Sequence, residues 1–470
     1  MASSLDSRRA LPHASLAHGI EHGLSASEGF ALLWLVALSG TVLLAAKGQA
    51  DSYIFITLWS LFCCVVGFAI GKGSPEHPLV WWPFFIWFYH ASALVIHYFG
   101  ILPTFYPDEI ARLTLIALIG AWSGALFGVG RGVKETFLSK ISATTDRAAW
   151  GVYWVSVALI VAENVAFYRS GVTSKADWNL QSSFSLLFAH NWLLAAYLVL
   201  LIRRLGSRRA IPKAIVFCTG FIATISGIGL GERDVIYSYI VVTMLAFIME
   251  GQVNKWKVLF VGLILIATEP LLQRGKNLFV RDPMDLQSEI PAWLAIFRGE
   301  FFSAGRNLER LLSAKGEWSY SYGTSLVQDV LRGVLPGGWG FGESTQKWFN
   351  STFFPEIIDE GRGYGFTMIG TWYVNFGAVG VLVGFALLTI VIFILFCRRR
   401  SSWIAISFYI LFVPAMIYSI RGDLSVVLSY GLKQCLLPLL LIVVIGRVLY
   451  WINGSKRREN TGRRLVAEDA

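Results

Sequence analysis

The sequence predicts an all-α, polytopic integral membrane protein of about 12 transmembrane helices, with one large external loop that contains short amphipathic helices. Composition is the first observation: 55% of residues are hydrophobic, only 15% are charged, and 18 Trp and 33 Phe are present. With a mean hydropathy of +0.58, this does not describe a water-soluble chain. Run length is the second, because about 18 apolar residues cross a hydrocarbon layer roughly 30 Å thick. Distribution is the third: nine apolar runs precede a long polar segment and three follow it.

Residues 1–28 hold Arg8 and Arg9 but no adjacent apolar core with a small-residue cleavage site, so they read as a cytoplasmic tail and not as a signal peptide. The block 29–273 contains spans at 29–46, 53–71, 79–100, 112–130, 149–168, 182–202, 213–230, 235–251 and 257–273. Residues 274–365 form the large loop, and 366–450 hold spans at 366–396, 402–420 and 426–450. A basic cytoplasmic tail, 451–470, ends the chain. Cys63, Cys64, Cys218, Cys397 and Cys435 fall in or beside spans without paired spacing, so no disulfide framework is indicated.

Basic residues orient the bundle, since short loops rich in Lys and Arg stay cytoplasmic. The segments 131–147, 203–213, 398–400 and 451–470 are all basic and fall on one side together with both termini. The net charge of +10 is thereby explained by topology, and no nucleic-acid motif accompanies it. The opposite side then carries 101–111, 169–181, the Gly231-Glu232-Arg233-Asp234 turn, the Arg421-Gly-Asp423 turn and the large loop.

That loop is roughly ninety residues long, and loops of such length are usually functional. Within it, 290–316 has helical apolar spacing and predicts an amphipathic helix lying along the membrane surface. At 100° per residue, Arg298, Arg306 and Arg310 share an arc of about 120°. Arg233, Arg274, Arg298, Arg306, Arg332, Arg362 and Arg421 all project on the loop side. Guanidinium presents a planar fork of donors to phosphate, and it also snorkels or forms surface ion pairs. Trp318, Tyr322, Trp339 and Tyr364 can stack on sugar faces or belong to an interfacial aromatic belt.

Polar residues within spans, Glu163, Glu269, His90, His97, His190 and Asn191, face one another or an aqueous cavity, because lipid would be costly to them. Their spacing matches no metal motif, and no Walker-type loop or other cofactor signature occurs. Neither a metal nor a cofactor is expected.

The stretch "YSYGTSLVQDVLRGVLPGGW" and, some forty residues on, "GFTMIGTWYVNFGAVGVLVGFALL" resemble the signature of the Wzy-type O-antigen or oligosaccharide repeat-unit polymerases of bacterial envelopes. The resemblance rests on Gly323 and Pro336 in the loop, on Tyr373, Asn375, Phe376, Gly377 and Gly380 at the following span, and on Gly231 with Arg233 after a mid-chain span. It covers roughly residues 215–400, and Gly370, Thr371 and Trp372 stand where such proteins often carry an acid.

The resemblance implies a membrane glycosyltransferase in the bacterial inner membrane, with cytoplasmic termini and a periplasmic loop. Such an enzyme transfers a growing glycan from undecaprenyl diphosphate to a lipid-linked repeat unit. Implied partners are the lipid-linked oligosaccharides, the bilayer, and a chain-length regulator and flippase of the same pathway, without nucleic acid. Arg233 is the expected catalytic cation, with Arg274, Arg298, Arg306, Arg332, Arg362 and Arg421 as diphosphate-binding candidates. Glu300 and Asp234 are the two candidates for handling the acceptor proton. An O-antigen ligase shares the architecture and the donor. A flippase would show matched halves, which this lopsided chain lacks.

Overall fold

The computed structural model describes residues 24–131, 141–171, 187–206, 213–229, 233–249, 251, 253–279, 291, 293–297, 299–335, 342–359 and 363–468. Among them the regular elements are helical. Nine helices come first: α1 Ala26–Ala45, α2 Ser52–Ile70, α3 Pro78–Tyr98, α4 Pro107–Ala125, α5 Ala143–Ser170, α6 Leu187–Gly206, α7 Lys213–Gly229, α8 Arg233–Met249 and α9 Lys255–Phe279. The loop carries α10 Glu300–Ser313, α11 Thr324–Val334, α12 Thr345–Phe353 and α13 Pro355–Asp359. Then follow α14 Met368–Arg398, α15 Trp403–Ser419, α16 Leu424–Leu428, a π-helical segment Ser429–Leu436, and α17 Leu437–Glu468.

A helix stands at each expected span. Among the described residues seven stretches are long and apolar enough to cross a membrane: α1, α2, α3, Pro107–Gly128, α5, α14 and Leu424–Asn453. Lys213–Ser226, Asp234–Met249 and Trp403–Ser419 are apolar but shorter. Length and composition thus qualify seven of the expected twelve crossings.

Helix-terminal signals explain the boundaries. Ser25 caps α1 in a reciprocal capping box with Glu28. Pro78 and Pro107 open α3 and α4, where a missing N–H costs nothing.

Tertiary bonds show which ends lie together. At one end, Gly130 N–H donates to the Leu24 carbonyl, Lys255 Nζ to the Lys72 carbonyl, and Arg203 pairs with Asp146. At the other, Ser52 and the Tyr53 amide donate to Asp108, and Arg306 reaches the Pro103 carbonyl. The first end collects the basic turns and the second collects the loop helices, in keeping with the charge pattern.

α3 and α4 form the interior, 83% and 67% buried against 22% for α1 and 28% for the last span. α14 lies against both. A Cβ added to Gly120 would stand 2.3 Å from the Leu382 carbonyl oxygen, and one added to Gly124 would stand 2.4 Å from that of Ala386. Small residues at such crossings let backbones approach where hydrophobic force between helices is absent. Trp82 adds a buried bond of 2.9 Å to Thr389.

Two features differ from the sequence expectation. The amphipathic helix begins at Glu300, after Gly299 with φ 76°, and its apolar face rests on a span. It packs along α3: Phe301 meets Phe88 and Tyr89 at 4.7 and 5.1 Å, and a Cβ on Gly305 would sit 2.6 Å from that of Ala93. Phe88 is about 15 Å below the loop end of α3 at 1.5 Å per residue.

α14 is broken as well, with Phe376 at φ −141° and Gly377 at φ 62°. Only glycine takes the left-handed angle cheaply. Residues 368–375 therefore fold back onto the span proper, where a Cβ on Gly380 would stand 2.4 Å from the Trp372 carbonyl oxygen and one on Gly384 2.1 Å from its indole.

Gly124→Leu, which drives a side chain into the Ala386 backbone, is expected to cost at least about 1–3 kcal/mol. Thermal unfolding of the purified protein in detergent measures this, and an unchanged midpoint would contradict the close α4–α14 crossing.

Candidate functional site

The loop is fastened to the bundle by two fully buried carboxylates. Asp329 comes from the inner face of α11, where Gly333 lets the helix approach α16 so closely that a Cβ there would meet Leu428 Cβ at 2.5 Å. Asp423 precedes α16 and caps it through the Val426 amide at 3.2 Å. Both meet the start of α12. Thr345 donates its amide and hydroxyl to Asp329 at 2.8 Å each, and the next amide, Gln346, donates to Asp423 at 2.8 Å. Unpaired N–H groups and the positive dipole end of a helix suit carboxylates.

Burial, and then the charge of Asp423, push the Asp329 carboxyl up to about 8, against the bonds from Thr345 and the Leu424 amide that lower it. The nearby cations are engaged elsewhere. Arg332 donates to the Gly342 carbonyl at 2.6 Å, Arg421 donates to Tyr418 Oη at 3.0 Å and lies over its ring, and Lys433 caps α11 through the carbonyls of Arg332 and Leu335.

A second seam runs beside the first. The Phe366 and Met368 amides donate to the Arg421 and Ile420 carbonyls at 2.8 and 2.9 Å. Buried Asn350 exchanges bonds with both backbone groups of Tyr364, and Asn307 binds the Gly365 carbonyl.

Asn375, fully buried, is the third fastening. Its Oδ1 accepts from the Gly323 amide at 3.0 Å and from Ser325, while Nδ2 donates to Ser325 and to the Thr371 carbonyl at 2.8 Å each. This bond holds the turn Tyr322–Gly323, in which Tyr322 has φ 44° and Gly323 φ 93°. A left-handed tyrosine is strained by about 1–3 kcal/mol, and the strained ring is 76% exposed.

Around this turn Trp318, Tyr320, Tyr322, Tyr373 and Trp348 pack edge to face, with centroids 5.7–6.4 Å apart. Trp318 is fixed by a bond from its indole N–H to the Leu311 carbonyl at 3.0 Å. The Tyr373 hydroxyl beside Lys315 pushes the lysine up from its ordinary range.

Between α6, α7 and α8, His190, Asn191, Thr219, Asp234, Ser238 and Tyr239 line a small cavity together with Leu193, Leu194, Ala223 and Val235. Asn191 donates to Gln434 of the π-helical segment at 2.6 Å. Such segments are frequent at functional sites.

Against this geometry, Trp318, Tyr322, Gly323, Tyr373, Asn375, Gly377 and Gly380 come together at one corner. Tyr364 lies apart, its ring 4.7 Å from Phe354. Arg332 and Arg421 flank the carboxylate pair. Arg306 faces the other way, bound to Glu309 at 2.6 Å and to Pro103, so it does not join them. Asp234 lines the cavity. Arg233 opens α8, Arg274 lies in α9 and Glu300 opens α10, but their side chains fall outside the described residues. Gly231, Arg298, Pro336, Trp339 and Arg362 also lie outside them.

Asp329, Lys315, Lys433 and Gln434 are not among the site residues expected from the sequence. Asp329 had a signal: Leu326, Asp329 and Gly333 follow the i, i+3, i+7 spacing of a packed face, where a charge needs a partner.

Fold and site together define a polytopic helical membrane protein whose loop helices are locked onto the span ends and bring aromatic, cationic and carboxylate groups there. Residues 318–451 match the family model of O-antigen polysaccharide polymerase Wzy. The match supports the Wzy-type family, an O-antigen polymerase role in general, and with it a membrane glycosyltransferase-like enzyme. No curated protein and no solved structure matches the chain.

Two outcomes follow. Asp329 holds its proton in the fold up to about 8 but releases it near the ordinary value of 3.8 when exposed. The folded chain thus binds more protons across that window, and stability falls as pH rises through it. Resistance of residues 324–366 to limited proteolysis should decline between those values and become flat in Asp329→Asn; a flat wild-type profile would contradict the shift. Asn375→Ala strands the Gly323 amide at a cost of about 1–3 kcal/mol, which faster hydrogen exchange at Gly323 would register.

Proposed function

We propose that the protein is a polysaccharide repeat-unit polymerase working at the outer face of the bacterial cytoplasmic membrane. A hydroxyl of one lipid-linked repeat unit attacks the anomeric carbon of a glycan carried on undecaprenyl diphosphate. The bond to the diphosphate breaks, the hydroxyl proton passes to a base, and undecaprenyl diphosphate leaves. The observation that carries this proposal is a coincidence of position. The segment matched to the Wzy family, 318–451, is the one that builds the aromatic corner and supplies Asp329, Arg332, Arg421 and Asp423.

The leaving diphosphate gains negative charge as the glycosidic bond breaks, so preorganised guanidinium groups stabilise the transition state more than the ground state. Arg233 is the candidate for this role, because it opens α8 next to Asp234, which lines the cavity. Asp234 and Glu300 are the candidates for the acceptor proton. Arg274, Arg298, Arg332, Arg362 and Arg421 would hold the remaining phosphate charge, and Trp318 and Tyr322 would stack on sugars. The loop face would be periplasmic, with both termini cytoplasmic, and a chain-length regulator and flippase would work beside it.

Glycolipid analysis of a deletion strain tests the reaction. Single lipid-linked or single capped repeats are expected; unattached long chains would indicate a ligase and inward-trapped intermediates a flippase. In the same strain, Arg233→Ala expressed at wild-type level should abolish chain growth. Arg233→Lys should restore it only in part, since an ammonium lacks the bidentate fork. Long polymer from the alanine variant would remove Arg233 from the mechanism.

A further inference from the structure

Helix α11 has three faces, and only two of them meet protein. Asp329 and Gly333 are buried on the side of α16, while Gln328 and Arg332 turn to Gly342 ahead of α12. The third face is Val327, Val330 and Val334, which share an arc of about 60° at 100° per residue. They are 60%, 41% and 45% exposed. Valine is a weak helix former, so three of them turned to water would weaken a short helix and gain no packing. α10 shows the contrast, since its Phe301 and Gly305 meet α3.

The height of α11 follows from what holds it. The last span, Leu424–Asn453, has 30 residues. At 1.5 Å per residue this is about 45 Å, and a bilayer with its headgroup layers is about 40–45 Å thick. Its first turns therefore stand in the interfacial layer on the loop side. α11 is joined to those turns twice: Gly333 lies against Leu428 and the Ser425 carbonyl, and Lys433 donates to the carbonyls of Arg332 and Leu335.

The other end of α11 meets α14 at its break, where a Cβ on Gly323 would stand 3.3 Å from the Phe376 ring. Below Phe376, Val379, Val383, Leu387 and Val391 recur every fourth residue along one side of the span. All five are 48–68% exposed. An exposed apolar stripe on a membrane-crossing helix is covered by lipid tails, and the valines of α11 begin where this stripe ends.

We propose that Val327, Val330 and Val334 form a lipid-contact face that seats α11 at the boundary between headgroups and acyl chains in the leaflet on the loop side. Its occupant is phospholipid acyl chain, continuous with the lipid over α14, and an amphipathic helix at that boundary sinks its apolar side by about 5–10 Å. The interfacial helix of the loop is thus α11, while α10 leans on a span. Because Asp329 rides on the same helix, the membrane surface sets the height of the buried carboxylate pair. The inference goes beyond the polymerase reading and does not rest on it.

The test uses the full-length protein, one copy per phosphatidylcholine nanodisc, and carbene photolabelling mapped by mass spectrometry. One probe is phosphatidylcholine with a diazirine high on an acyl chain, a second carries it at the chain terminus, and a third is a water-soluble diazirine. The high probe should label 327–334 within about threefold of Val379, and the terminal probe should label it at least about tenfold less than Val391, as expected for a helix at the boundary. Adducts from the water-soluble reagent alone would put the face in water and overturn the proposal. So would the absence of adducts from every probe, which would mean that protein covers the valines. Lipid adducts that vanish from 327–334 in densely loaded vesicles, but persist at Val379, would give the face to a second copy of the chain and overturn it equally. Labelling does not depend on chain growth, so neither result bears on the reaction.

Discussion

The structure depends on two carboxyl groups placed where water cannot reach them. Asp329 and Asp423 are both fully buried, they come from opposite sides of the α11–α16 contact, and they are bonded by consecutive amides of one helix start. Two carboxylates this close repel unless a proton or strong donors intervene. Here both remedies operate: α12 supplies the donors, and Asp329 retains its proton. Remove α12 and the pair has no reason to stay buried. The position of α12 in turn sets Asn350, which holds Tyr364 and so aligns 364–368 beside Ile420 and Arg421.

From that seam the rest of the loop face is placed. α11 is fixed at one end by Lys433 on its last carbonyls and at the other by Asn375 on the turn before it. α10 is fixed independently, through Gly305 on α3 and through Glu309, which accepts from the Phe105 amide and from Arg306. Among the described loop helices, α10, α11 and α12 are thus each bonded to the bundle, and relative motion between spans would change the spacing between Arg332, Asp234 and the aromatic corner.

Much of this was legible before any coordinates. The helices at the expected spans were visible because a run of eighteen apolar residues has few alternatives to crossing lipid. The charge pattern sorted the turns into two ends for a similarly direct reason. The Tyr-x-Asn-Phe-Gly-x-x-Gly element was visible as a motif, but its geometry was not. The run from 368 to 398 is uniformly apolar, and hydropathy averages over the break at Gly377. Nor could periodicity show that Arg306 reaches Pro103, or that α10 leans on α3, because those partners lie about two hundred residues away. Contacts of that range leave no local trace. What a residue meets across the bundle decides whether an arginine is available to a ligand, and sequence spacing speaks only to its own helix.

The long reach of these bonds also bears on how the molecule is made. Asn307 waits for Gly365, Gly323 for Asn375, and Gln346 for Asp423. Every one of these partners is synthesised later than the segment it secures, and the last of them emerges just before the final span. The loop helices accordingly cannot settle as they are made. They stay unlatched until Asn375 and Asp423 have left the ribosome, so the aromatic corner and the carboxylate pair are late products of synthesis.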